Sequence, residues 1–140
     1  MFRLAELLIF VVIIGVLVAI SIPIFTSQLE KSRDAVSVAN MRSAYAEAQT
    51  LALTATSNNE KAGNATATVT DGKVTSVVAV VVIKSQDSNT WSNLAAELPW
   101  VGDTAITAKV DDPGKAGDYN MTFTYTDGAL TKVELAATAN

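Results

Sequence analysis

The sequence predicts an α+β chain: a long N-terminal α-helix whose apolar half projects and whose second half packs on an antiparallel β-sheet. Three observations predict it. Between Glu6 and Glu30 no residue is charged, a run of 23 positions. Residues 26–56 follow as a charged, Ala-rich stretch without Gly or Pro, helical by propensity. Residues 57–140 then alternate Thr with Val or Ala around two Asp-Gly pairs, the period and punctuation of half-buried strands. A chain of 140 residues suits one folded domain. Three regions result: an apolar helix over 1–25, its amphipathic continuation over 26–56, and a loop-and-sheet head over 57–140.

The first region holds the apolar excess of the whole chain. Hydrophobic residues make up 49% and charged residues 17%, against about 25% charged in an ordinary domain. Mean hydropathy is +0.29. Leu7 to Phe25 contributes 16 apolar residues of 19, and about 20 such residues span a bilayer core. A secretory signal peptide has an apolar stretch of only about 7–15 residues followed by a small-residue cleavage site. A buried core helix would need more cover than the Ala- and Thr-rich remainder can give a helix apolar on all sides. A plain signal anchor explains the hydrophobicity but not the placing of Glu6, Gly15 and Pro23. Joined to the second region, the helix runs about 50 residues, or about 80 Å. Half of it must then project into a membrane or an assembly. Its weak points are Pro23, which costs about 3 kcal/mol, and Gly15, about 1 kcal/mol relative to Ala.

In the second region, Val38, Met41, Tyr45, Ala48, Ala52 and Ala55 share one helical face, expected to pack on the head. Leu29, Val36, Ser43, Glu47 and Thr54 lie roughly opposite, toward solvent or another subunit. Glu30, Arg33 and Asp34 interact weakly along the helix and are expected to form a solvated face. Ser57-Asn58-Asn59 and Gly63-Asn64 end the helix. Ala65–Thr70 is a strand, Asp71-Gly72 a tight turn and Lys73–Val77 the return; Val78–Lys84 is a further strand. After a turn over Asp87–Trp91, Ser92–Leu98 is expected as a short helix stopped by Pro99. Thr104–Val110 alternates as a strand, and Asp111–Asp118 forms a loop. Asn120–Thr126 and Ala129–Ala136 make a second hairpin around Asp127-Gly128. The expected head is an antiparallel meander with one solvated face.

Several function classes are excluded or left without support. With no Cys and no His there are no disulfides, thiolate nucleophiles, Cys/His zinc sites or Ser-His-Asp triads. Nothing supplies a nucleophile–base pair, a phosphate loop or a metal cluster, so no enzyme and no cofactor is expected. Net charge is −4, and the ten Lys and Arg are scattered, which argues against nucleic acid as a partner. Asp111, Asp112 and Asp118 could bind Ca²⁺ through carboxylates and carbonyls, but lack EF-hand spacing, and a plain acidic turn is the simpler expectation. Asn64-Ala65-Thr66 and Asn120-Met121-Thr122 match the glycosylation pattern, which in a chain of this kind is expected by coincidence. Trp91 and Trp100 are expected to cap the sheet core.

The sharpest local signal is Phe2-Arg3-Leu4-Ala5-Glu6, then Gly15, then Ile22-Pro23-Ile24-Phe25. Burying a lone carboxylate such as Glu6 in an apolar surrounding costs several kcal/mol. Two surroundings suit it: a headgroup layer beside Arg3, or a cationic chain terminus on a neighbouring copy.

With Phe2 as first mature residue, this segment resembles the N-terminus of type IV pilins and pseudopilins. In that family a leading Phe, a Glu at the fifth mature position and an inner Gly and Pro recur in this register. The stretch from Ser27 to Gln49 also resembles the following helix of major pilins of Gram-positive, clostridial type. The resemblance covers about residues 2–50; beyond that only the architecture agrees. Arg3 stands where the family usually has a small polar residue, and Ala5 where it has Ile or Val. Met1 precedes the expected first residue, and no Lys-rich leader ending in Gly is seen.

The resemblance implies a subunit held in the cytoplasmic membrane by residues 7–25 and then polymerised into a filament at the bacterial cell surface. Prepilin peptidase would cut before Phe2 (or Met1) and methylate the new amine. An assembly ATPase and a platform protein would build the fibre from copies of the same chain, for adhesion, aggregation or twitching. Glu6 would neutralise a neighbour's N-terminal amine, with Arg3 as a second cation nearby. The helix is expected to loosen between Gly15 and Pro23 in the filament. The alternatives are a pseudopilin of a secretion or DNA-uptake machine and a single-span membrane-anchored binding domain.

Overall fold

The computed structural model describes residues 3–138. Met1 and Phe2, on which the processing and first-residue expectations fall, lie outside the described residues. The fold is α+β. One helix, α1 (Arg3–Thr54), packs its second half on six strands: β1 (Lys61–Ala62), β2 (Ala65–Thr70), β3 (Lys73–Ile83), β4 (Thr107–Lys109), β5 (Gly117–Thr126) and β6 (Ala129–Ala137). They form one mixed, mostly antiparallel sheet in the order β1-β2-β3-β5-β6-β4.

α1 is a single helix of 52 residues, continuous through Gly15 and Pro23. In its apolar part the hydroxyls turn back on the backbone. Ser21 Oγ donates to the Leu17 carbonyl at 2.7 Å and Thr26 Oγ1 to the Ile22 carbonyl at 2.9 Å, so neither is left exposed to an apolar surrounding.

The core lies between the inner faces of α1 and the sheet. Val38, Met41, Ala44, Ala48 and Leu51 of α1 meet Ala65 and Ala67 of β2, Val77, Ala79, Val81 and Ile83 of β3, Met121, Phe123 and Tyr125 of β5, and Val133 of β6. Of the expected helix face, Val38, Met41 and Ala48 are buried and Tyr45, Ala52 and Ala55 pack at its rim. The Ala residues let helix and sheet approach closely. Tyr45, Trp100 and Phe123 close the core with ring centroids 6.0–6.1 Å apart and tilted to edge-on planes, the favourable geometry for aromatic pairs. Trp91 and Trp100 are both buried, as core caps.

Both Asp-Gly hairpins form. Asp71 and Gly72 have φ of +54° and +76°, Asp127 and Gly128 +51° and +84°; two consecutive positive φ values define the turn that matches strand twist. Elsewhere the sheet differs from a meander. Lys73–Ile83 is one strand, not two, because Val77–Ile83 pairs continuously with β5. Of Thr104–Val110 only Thr107–Lys109 is strand, and it runs parallel to β6 along its outer edge. The expected helix at Ser92–Leu98 is a 3₁₀ segment over Thr90–Glu97. It opens on a left-handed turn, with φ between +52° and +64° at Thr90, Trp91, Ser92 and Asn93.

Candidate assembly surface

α1 leaves the head at Glu30, and every described residue before it is exposed. Arg3 to Leu29 touch nothing in the rest of the chain closely enough to be covered, and the large side chains exposed between Leu7 and Phe25 are all Leu, Ile, Val and Phe. This helix is long and apolar enough to cross a membrane. Contiguous apolar surface on that scale is not left in water; it is covered by lipid or by other chains. Glu6 and Arg3 both sit in the first turn and are exposed. A carboxylate there is favoured by the helix dipole. Among the described residues no ion pair joins Arg3 to Glu6. A Cβ added at Gly15 would meet nothing within 4 Å, so Gly15 is a notch in the side-chain surface where another helix backbone could approach. Pro23 lies inside the helix and withholds the donor for the Ala19 carbonyl.

The junction with the head is built from side chains of α1 acting on backbone. Glu30 Oε1 accepts from the Gln86 and Asp87 N–H groups at 2.9 and 3.0 Å. Ser37 Oγ accepts from Lys84 N at 2.8 Å and donates to the Arg33 carbonyl at 2.9 Å. Asn40 Nδ2 donates to the Val82 carbonyl at 2.8 Å. Glu47 accepts from Asn64 N at 3.2 Å. These residues lie seven, three and seven apart, so they fall on one helical stripe. The stripe takes up backbone groups of β3 and its continuation and, at Glu47, of the β1–β2 turn. On the other flank Asp34 receives the Ser92 hydroxyl, Arg42 pairs with Glu97 at 2.6 Å and Gln49 accepts from the Tyr125 hydroxyl at 2.7 Å.

The expected solvated face at Glu30, Arg33 and Asp34 is therefore corrected. Glu30 and Asp34 are buried: Glu30 supplies the acceptor that the Gln86 and Asp87 loop amides need, and Asp34 accepts the Ser92 hydroxyl. Burial pushes Glu30 up. The amides of Gln86 and Asp87, the Arg33 guanidinium and the Ser85 hydroxyl outweigh it and hold the carboxyl below its ordinary value. Glu60 has a similar task in the loop after α1. Its Oε1 accepts from the backbone and hydroxyls of Thr56 and Ser57 within 3.1 Å, which lowers it to about 2.

The calcium candidates do not form a site. Asp111 and Asp118 are exposed, while Asp112 is buried. Both Asp112 oxygens are occupied by donors of its own chain: Ser85 Oγ, Gly114 N, Asn89 N and Trp91 N. Among the described residues no group of three acidic side chains is placed to hold a metal. Asn64 is exposed at the β1–β2 turn and Asn120 stands on the outer face of β5.

No family model, curated protein or solved structure matches this chain. The functional reading therefore rests on the chain's own residues and geometry.

Proposed function

We propose that this chain is the structural subunit of a type IV pilus-like filament. One observation carries it: a helix apolar on every face projects bare from a head that grips only its second half. That geometry suits a subunit that waits in a membrane and then packs its helix against copies of itself. Lipid tails are as apolar as the helix, so packing and polar contacts decide how such helices align. Glu6, at the far end of an uncharged span, supplies the polar contact. In the fibre it pairs with the N-terminal amine of a neighbouring copy and sets the axial register. The apolar helices then form the filament core and the sheets its shell at the cell surface. Prepilin peptidase, an assembly ATPase and a platform protein are the partners this reading requires.

The test is Glu6→Gln in cells. Surface filaments should be lost or strongly reduced while the membrane pool of subunit persists, seen by micrographs and blots of sheared and membrane fractions. Normal filaments in the variant would overturn the pairing. Mass spectrometry of the sheared material fixes the mature residue, Met1 or Phe2, and its methylation. Long, abundant fibres distinguish a major subunit from a pseudopilin, whose assemblies stay short.

A further inference from the structure

The apolar span and the head meet at a groove. Leu7 to Phe25 is 19 residues, or about 28 Å of helix, close to the hydrocarbon core of about 30 Å in a bilayer. The headgroup layer beyond that core is about 5–7 Å deep on each side. Ser27 stands about 3 Å past the end of the span and Lys31 about 9 Å, and a Lys side chain can lean back toward the layer. Residues 86–93 of the head face this stretch of α1, and the two sides line an open groove of about 850 Å³. Small-molecule sites are about 300–1,000 Å³. The lining reaches Pro23, an apolar residue inside the span.

The polar groups of the groove divide into engaged and open ones. Arg33 Nη1 lies 3.4 Å from Glu30 Oε2, and Glu30 Oε1 takes the Gln86 and Asp87 amides. That pair is closed on itself and on the loop. Ser92 gives its hydroxyl to Asp34, and Thr26 turns its own back to the Ile22 carbonyl. Lys31 and Asp87 differ. Both are exposed and both line the groove. Among the described residues neither side chain has an ion pair, with the other or with any third group. One ammonium and one carboxylate thus border the same opening without meeting. Ser27 adds a hydroxyl four residues before Lys31, on the same face of α1.

We propose that this groove seats the headgroup of a phospholipid that carries a primary ammonium, with Lys31 and Ser27 on the phosphate and Asp87 on the ammonium. The inference rests on the membrane part of the proposed function, the seating of residues 7–25 in a bilayer, and not on fibre formation. Charge selects the occupant. An anionic headgroup without an amine gains Lys31 but meets Asp87 as a like charge. A quaternary ammonium has no N–H to give a carboxylate. A primary ammonium has three donors and completes both halves of the site. General attraction to anionic lipid needs a cluster of cations, whereas the four charged groups of this groove, Lys31, Arg33, Glu30 and Asp87, sum to zero. Headgroup capture fixes the depth and rotation of the unassembled subunit, because helix and head hold the same lipid.

The test places the full chain in nanodiscs of phosphatidylcholine, phosphatidylglycerol and phosphatidylethanolamine in equal parts. Native mass spectrometry reads which lipid stays on the released protein. Wild type should retain phosphatidylethanolamine about threefold over either of the others, the size expected of one exposed charge pair. Asp87→Asn should bring it down to the level of phosphatidylcholine, and Lys31→Gln should lower the retention of all three. Both side chains are exposed, so both variants should melt with wild type in the same discs, which separates a lost headgroup from a lost fold. Equal retention of the three lipids, a preference for phosphatidylglycerol, or an ethanolamine preference that survives both substitutions would overturn the proposal. A chain that stays out of the nanodiscs would overturn the membrane reading itself, whereas an inserted chain without preference removes only the headgroup site.

Discussion

Gly114 shows how single residues hold the junction between helix and head. It has φ of +63°, and a Cβ there would lie 2.9 Å from the backbone nitrogen of Ser88. The neighbour is backbone, so it cannot step aside as a flexible side chain would. The same residue donates its N–H to Asp112 Oδ1, so a shift would also disturb the carboxylate that binds the 89–91 amides. Gly114→Ala should destabilise the head by at least about 1–2 kcal/mol, the cost of a left-handed L-residue, read from denaturant midpoints at constant m. Glu30 gives a pH prediction. Its folded value is lowered, so its stabilisation is present above its unfolded value of 4.5 and disappears as pH falls through the folded value. Melting temperature should therefore drop below about pH 4.5, and Glu30→Gln should remove part of that drop while lowering Tm at neutral pH. An acid limb of the same size in Glu30→Gln would assign the loss to other carboxylates.

At the scale of elements, α1 is two different objects joined end to end, and the joint is made by side chains that replace a missing strand. Ser37 is the most buried of them, and its hydroxyl is the partner of Lys84 N. Ser37→Ala leaves that amide without an acceptor in a part-buried place, which should cost about 1–3 kcal/mol. Ser37→Thr, which keeps the hydroxyl, should recover part of the loss in the same unfolding measurement. The apolar stripe of this helix was legible in the sequence because Val38, Met41, Tyr45 and Ala48 repeat at helical spacing. Both hairpins were legible because Asp-Gly encodes two positive φ values in a row. The polar stripe was not. Glu30 and Asp34 are charged, and charges on a helix normally mark solvent. Their partners, moreover, are backbone amides and hydroxyls more than fifty residues away, groups that every sequence contains. The left-handed turn was hidden for a related reason: Thr90, Trp91, Ser92 and Asn93 carry no glycine to announce it. The three-residue parallel strand β4 was read as a longer antiparallel one, since its alternation is the same either way.

At the scale of the whole molecule, the two halves divide the energetics cleanly. Among the described residues, all the buried ones lie at or beyond Glu30, so the core, the aromatic cluster and the polar joint owe nothing to the projecting half. The projecting half in turn owes little to the head. Its first 18 or so residues past Glu6 have no cover, and in water an isolated helix is only marginally stable; in an apolar surrounding it is held by its own backbone bonds. Deleting residues 1–25 should therefore leave a head that folds alone. Its new N-terminus starts at Thr26-Ser27, residue types that cap exposed helix amides. The truncated chain should be monomeric in detergent-free buffer by sedimentation. Its Tm should lie within a few degrees of that of the full chain in micelles, since the loss removes no buried contact. The full chain without detergent should associate, because its exposed apolar surface has no other means of leaving water. A truncated chain that unfolds would show that the projecting helix supports the head. One that still associates would place the assembly surface on the sheet instead of the helix.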